Sequence, residues 1–240
     1  MKHVEFTALF IGLLLFLNFG SLNAQEQKSG KDLIQMSIGE ANKWTNTRYL
    51  LYSVVGPSNS STMGNERSFL IDKKTGDCRF EGTNKNNESL VLLFNYRTKK
   101  VKKYFVNTEV SKESPDNILD NILGQFFKDT QILFLPAFLS DSPSSITDIS
   151  QKVINTDKLN VISFANMPTL GDDSINGKIT LTNKGDIKSI TVGNIEYRTS
   201  AIKDIGEGIL LPTVFENHSS YRFQIVAAFT DVETGKFTNI

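Results

Sequence analysis

The chain has 240 residues, and 26 lysines and arginines balance 26 aspartates and glutamates, so the formal net charge at pH 7 is zero. A neutral chain exerts no long-range pull on nucleic acid, and no nucleic-acid partner is expected. The single cysteine, Cys78, excludes an internal disulfide, so packing must stabilise the fold.

Lys2 and His3 precede an apolar run from Phe6 to Phe19, and "GSLNAQ" follows it. This is the three-part pattern of a secretory signal peptide, expected over residues 1–24 with cleavage after Ala24. The run is short for a bilayer span of about 20 residues, so no stable membrane span is expected after cleavage. No cysteine follows the run to carry a lipid. The expected location is periplasmic or secreted, with residues 25–240 as one domain.

Next, Leu33, Ile34, Ile38, Ala41 and Trp44 recur at near-helical spacing. They predict one amphipathic helix over Lys31–Lys43, weakened by Gly39. "TRYLLYSVV" (47–55) is dense in aromatic and β-branched residues and reads as a strand, and "GPSNSSTMGN" (56–65) as a loop. "ERSFLID" and "DCRFEG" flank "KKTG" as one hairpin, and "ESLVLLFNY" and "VKKYFVN" flank "RTKK" as another. A helix is expected from Ser114 as N-cap, through Pro115 and Asp116, with Ile118, Leu119, Ile122, Leu123, Phe126 and Phe127 as its apolar stripe. "QILFLPAFLSD" (131–141) follows as a short helix with a break at Pro136.

After the loop "SPSS" (142–145), strands are expected at Gln151–Ile154, Asn160–Ala165, Lys178–Thr182, Ile187–Val192, Ile195–Thr199, Ile209–Phe215 and Tyr221–Asp231, with a further hairpin beginning at "DVETGKF". Ten or eleven strands on short turns favour an antiparallel meander. Two strands are apolar on both faces. In 89–96, Leu90, Leu92, Phe94 and Tyr96 oppose Val91 and Leu93; in 48–55, Leu51 and Val55 oppose Leu50, Tyr52 and Val54. Both faces then need cover, either a helix on each or a helix on one and an apolar cavity on the other.

Chemistry-bearing patterns are sparse. His218 is the only histidine past position 3, in a predicted loop, and Cys78 lies inside a predicted strand, so neither a nucleophile–base pair nor a zinc site is expected. "DDSING" places Asp172, Ser174, Asn176 and Gly177 like the start of a calcium loop, but Asn183 stands where the bidentate glutamate belongs. No phosphate or dinucleotide motif occurs, so no cofactor is expected. Lys99, Lys100, Lys102 and Lys103 read as a solubilising hairpin edge. Asn59, Asn87 and Asn217 match the glycosylation triplet.

The order of elements resembles a known family. An N-terminal helix, a Tyr/Leu-rich strand, a long meander with a central helical insertion, "GILLPTVF" (208–215) and "FFKDTQILFLPAFLSD" (126–141) are similar to the outer-membrane lipoprotein-sorting superfamily, the LolA/LolB-like periplasmic carriers. The resemblance implies an α+β fold: a strongly curved antiparallel sheet, an unclosed half-barrel, with helices on its concave face. It also implies an arginine near the lipid site, for which Arg48 and Arg67 are the two candidates. The central insertion is longer and more apolar than in a sorting carrier. The implied function is a non-enzymatic carrier for a lipid or a lipoprotein acyl chain. The pocket would be lined by Leu51, Phe69, Leu92, Phe94 and Phe105, with Phe127, Phe134 and Phe138 from the lid. The alternative is an envelope structural or interaction domain whose core is filled. Residues 131–141 are then either a fixed plug or a movable lid.

Overall fold

A computed structural model describes residues 28–58, 63–111, 116–171 and 173–239. The signal-peptide segment, the expected N-cap Ser114 and Pro115, Asn59 and Asp172 lie outside the described residues.

Helix α1 (Gly30–Ile38) begins where the Ser29 hydroxyl accepts from the Asp32 amide at 3.1 Å and the Asp32 carboxylate accepts from the Ser29 amide at 3.3 Å. That reciprocal cap satisfies two otherwise unpaired donors. Gly39 then turns the chain at φ +68°, and α2 (Ala41–Asn46) follows. The single helix expected over Lys31–Lys43 is therefore two. A Cβ at position 39 would lie 2.5 Å from the Gly208 carbonyl, so only glycine lets the chain pass there.

Six strands come next: β1 (Tyr49–Val55), β2 (Glu66–Asp72), β3 (Asp77–Thr83), β4 (Ser89–Asn95), β5 (Lys100–Val106) and β6 (Glu109–Val110). Helix α3 (Asp116–Asp141) and a 3-10 turn (Pro143–Ser145) lead into β7 (Ile146–Ile154), β8 (Asp157–Pro168), β9 (Ser174–Thr182), β10 (Ile187–Val192), β11 (Ile195–Asp204), β12 (Leu210–Glu216) and β13 (Ser220–Phe229). All thirteen strands form one antiparallel sheet in the order β6-β5-β4-β3-β2-β1-β13-β12-β11-β10-β9-β8-β7. The first six strands meander outward to one edge. Helix α3 carries the chain to the opposite edge, and the last seven meander back until β13 pairs with β1.

The sheet is open and strongly curved. Phe126 of α3 meets Phe94 of β4 with ring centroids 6.3 Å apart. Its neighbour Phe127 packs over Gly171, in the β8–β9 loop, where an added Cβ would lie 2.8 Å from the ring. Strands β4 and β8 are nine steps apart in the sheet order, roughly 43 Å on a flat sheet. Adjacent residues of one helix reach both because the sheet wraps around it.

Several expectations need correction. Helix α3 runs unbroken through Pro136. The seven residues Ile132–Leu135 and Ala137–Leu139 are 0–7% exposed. Burial of roughly 1.5–3 kcal/mol per large side chain outweighs the ~3 kcal/mol cost of an internal proline. The strands are more numerous and longer than composition suggested, because polar residues of β7, β8 and β9 lie on exposed, one-sided strands. Ser174, Asn176 and Gly177 belong to β9 rather than to a loop. "DVETGKF" starts no hairpin; it contains a 3-10 turn, Thr234–Phe237.

That C-terminal turn covers the second apolar face of β1 and of its neighbour β2. Phe237, Val232 and Phe229 pack against Tyr49, Leu51 and Leu70, and the Phe237 ring lies 6.1 Å from that of Tyr49. The tail is pinned by Arg79, which donates to the Lys236 carbonyl at 3.2 Å, and by Lys103, which donates to the Thr238 carbonyl at 2.6 Å. The outer cover is thus the chain's own end rather than a second helix, and a cavity of about 240 Å³ lined by Leu51, Leu70, Arg79, Phe229 and Val232 lies beside it.

Candidate functional site

Strand register defines the concave lining. Tyr52, Phe69, Phe80, Leu92 and Tyr104 lie directly opposite one another across β1 to β5. The next row inward-facing on the same side is Leu50, Ile71, Cys78 and Phe94. Period-two alternation puts both rows on one face, and α3 lies against it. Phe126 packs on Phe69 at 5.4 Å, and Phe134 meets Tyr52 at 6.1 Å and Trp44 at 5.4 Å. Phe138 closes the group, 6.0 Å from Trp44. Such edge-on and tilted aromatic pairs add stabilisation beyond their buried area.

Of the expected lining residues, the sheet brings together Phe69, Leu92 and Phe94, and α3 supplies Phe134 and Phe138 beside them; Phe127 sits at the rim, half-buried, against Phe126. Leu51 and Phe105 point from the opposite face. Leu51 belongs to the cluster under the C-terminal tail. Phe105 pairs with Val91, one residue out of step with the inward Leu92 and Tyr104. Strand β1 is apolar on both sides and β5 carries Tyr104 and Phe105 side by side, so only pairing with neighbouring strands tells inward from outward.

One polar constellation interrupts this surface. Arg67, on β2, is 1% exposed and grips Asp129 of α3 with two hydrogen bonds, Nε to Oδ2 at 2.6 Å and Nη2 to Oδ1 at 2.7 Å. Its Nη1 donates to the carbonyls of Gly56 and Asn65 at 2.9 and 3.1 Å, and Gln125 donates to Asp129 Oδ1 at 2.7 Å. Burial pushes the Asp129 carboxyl above the ordinary range, while Arg67 and Gln125 pull against that shift. A carboxylate that accepts three N–H donors stays ionised at neutral pH beside a guanidinium that cannot be deprotonated. Arg48, the other candidate, sits at the mouth of β1 in a partly exposed ion pair with Asp72 at 2.8 Å. Of the two arginines, only Arg67 faces the concavity.

Sequence reasoning passed over Asp129 and Trp44. Asp129 was legible as a charge inside an apolar helix, one turn after Gln125. Trp44 Nε1 donates to Asp141 at 2.9 Å and Thr45 donates to the same carboxylate at 2.8 Å, so α2 fastens the C-terminal end of α3. The Tyr52 hydroxyl is buried without a hydrogen-bond partner among the described residues, and burial holds it well above the usual phenol range.

Groups that chemistry would need lie elsewhere. Cys78 is 1% exposed, and burial pushes its thiol well up, away from the reactive thiolate. His218 is exposed in the β12–β13 turn, on a polar groove of about 870 Å³ that also contains Lys188, Arg198 and Glu196. Asn87 and Asn217 both lie in turns. Among the described residues no cluster of three or more His, Cys, Asp or Glu could hold a metal ion, and no helix is long and apolar enough to cross a membrane.

No family model matches the chain, and no curated protein matches it. Solved structures with similar folds include a DUF1329 family protein from Desulfovibrio piger, at 12% identity and a TM-score of 0.39, covering 87% of this chain and 95% of that one. The Mycobacterium tuberculosis lipoprotein LppX matches at 8% identity and TM-score 0.33, over 85% of this chain and 99% of its own. LprF from Mycobacterium bovis matches at 12% identity and TM-score 0.36, over 85% and 94%. Likenesses at this level say nothing about what the chain binds.

Proposed function

We propose that this protein is a non-enzymatic carrier, secreted or periplasmic, for an apolar chain such as a lipid or a lipoprotein acyl group. The observation that carries this reading is how the concavity is filled. An aromatic surface running across β1 to β5 is covered by a single crossover helix, α3, tied to the sheet's two open edges rather than by a second sheet. A segment attached this way can leave as a unit, and the surface it uncovers would bind acyl chain by burial, at roughly 25 cal/mol per Å². The unpartnered Tyr52 hydroxyl suits a ligand with one polar head, since an unpaired buried hydroxyl costs about 1–3 kcal/mol. Phe69, Leu92, Phe94, Phe134 and Phe138 would contact the chain.

The second reading is an envelope interaction domain with a permanent plug. The near-zero exposure of Ile132 to Leu135 favours it.

Trp44 separates the two. It is the chain's sole tryptophan, 1% exposed, and packs on Phe134 and Phe138. Titration of the purified protein with a long-chain fatty acid should change Trp44 emission saturably, at a stoichiometry matched by mass spectrometry of bound lipid. A flat titration together with lipid-free protein rejects the carrier.

A further inference from the structure

The two edges of the sheet are unlike. Strand β6 is two residues long and follows the lysine-rich β5, the usual devices against edge pairing. Strand β7, at the other edge, has nine residues and no proline, and among the described residues it pairs on one side only, with β8. It is largely exposed, with Val153 at 71% and Ile154 at 42%. A row of free backbone donors and acceptors of this length is a template for another strand.

The sequence of β7 selects which strand. It reads ITDISQKVI. Set antiparallel to itself about Ser150, it places Asp148 opposite Lys152 of a second copy, and Lys152 opposite Asp148. Asp148 pairs with Ser163 and Lys152 with Leu159, so both ladders advance by four residues and the two side chains leave the same face of the sheet. Opposite charges directly across an antiparallel pair attract, and the twofold axis uses each pair twice. Neither side chain makes an ion pair among the described residues. A bulge at Thr147, between Ile146 and Asp148, confines this register to the regular part of the strand from Asp148 to Lys152.

We propose that β7 is a homodimerisation edge: two copies join β7 to β7 about a twofold axis at Ser150, extending one antiparallel sheet across both. A self-complementary charge pattern favours a second copy over an unrelated peptide, which would meet Asp148 and Lys152 without such symmetry.

Sedimentation equilibrium of the full chain over a concentration series tests this. The expected result is a reversible monomer–dimer equilibrium, with amide exchange across 148–152 slowing as concentration rises. Asp148→Lys alone, or Lys152→Asp alone, sets like charges opposite each other twice and should weaken association about tenfold or more. The double exchange Asp148→Lys with Lys152→Asp restores opposite charges and should restore the dimer. Both side chains reach solvent, so thermal unfolding of each variant should match the parent. A chain that stays monomeric throughout overturns the proposal, and so does a dimer indifferent to the single reversals.

Discussion

Replacing Asp129 by alanine should be among the most damaging single changes in the protein. The residue is fully buried, and its removal strands the Arg67 guanidinium in an apolar core. Breaking a buried pair by deleting one partner costs about 3–5 kcal/mol, because the remaining charge has lost its counter-ion. Against a total stability of roughly 5–15 kcal/mol, that is a large share. Urea unfolding followed by circular dichroism should show the midpoint fall without a change of slope. Arg67→Met combined with Asp129→Leu removes both charges at similar volume and should recover much of the loss. Recovery stays incomplete, because the Gly56 carbonyl then loses its Arg67 donor, at about 1–3 kcal/mol, while the Asn65 carbonyl keeps the Gly56 amide at 3.1 Å. The double-mutant cycle should therefore show strong coupling between the two positions. A loss below about 1 kcal/mol for Asp129→Ala, the level of an exposed pair, would refute the reasoning: the pair would be hydrated and α3 unseated.

Other outcomes follow from the same geometry. Phe134→Ala should lower stability by about 3–5 kcal/mol in the ligand-free protein, read by thermal unfolding, and shift Trp44 emission to the red. Phe237→Ala exposes the outer patch around Tyr49 and Leu51 and should cost less, about 1–2 kcal/mol, while leaving Trp44 emission unchanged. Gly177→Ala would bring a Cβ to within 1.9 Å of the Thr191 carbonyl, so β9 and β10 should separate and soluble yield should collapse. In alkali, burial holds Cys78 and Tyr52 protonated well above the ordinary thiol and phenol ranges, and Tyr197 to about 12. The unfolded chain releases those protons first, so stability is complete below about pH 9 and is lost as pH rises beyond it. A melting temperature that stays level from pH 8 to 11 would contradict that burial.

Local patterns in the chain determine a good deal without tertiary help. The hairpins around residues 73–76 and 97–100, the capped start of α1 and the apolar stripe of α3 follow from periodicity and turn chemistry, which act over a few residues. So does the antiparallel character of the sheet, because short turns permit nothing else. The unsuitability of Cys78 as a nucleophile also follows from its place inside a strand with no histidine near it in sequence. What the sequence leaves open is decided at long range. Leu51 and Tyr52 are equally apolar, and only the register of β1 against β2 and β13 sends one under the C-terminal tail and the other onto α3. Arg48 and Arg67 each precede a strand's apolar residues, and only the approach of α3 gives Arg67 a buried partner 62 residues away. Pro136 stays helical because the surrounding sheet supplies more burial than the missing hydrogen bond costs. Local propensity chose the elements; the closure of β13 onto β1, between residues far apart in the chain, chose which of their faces became the interior.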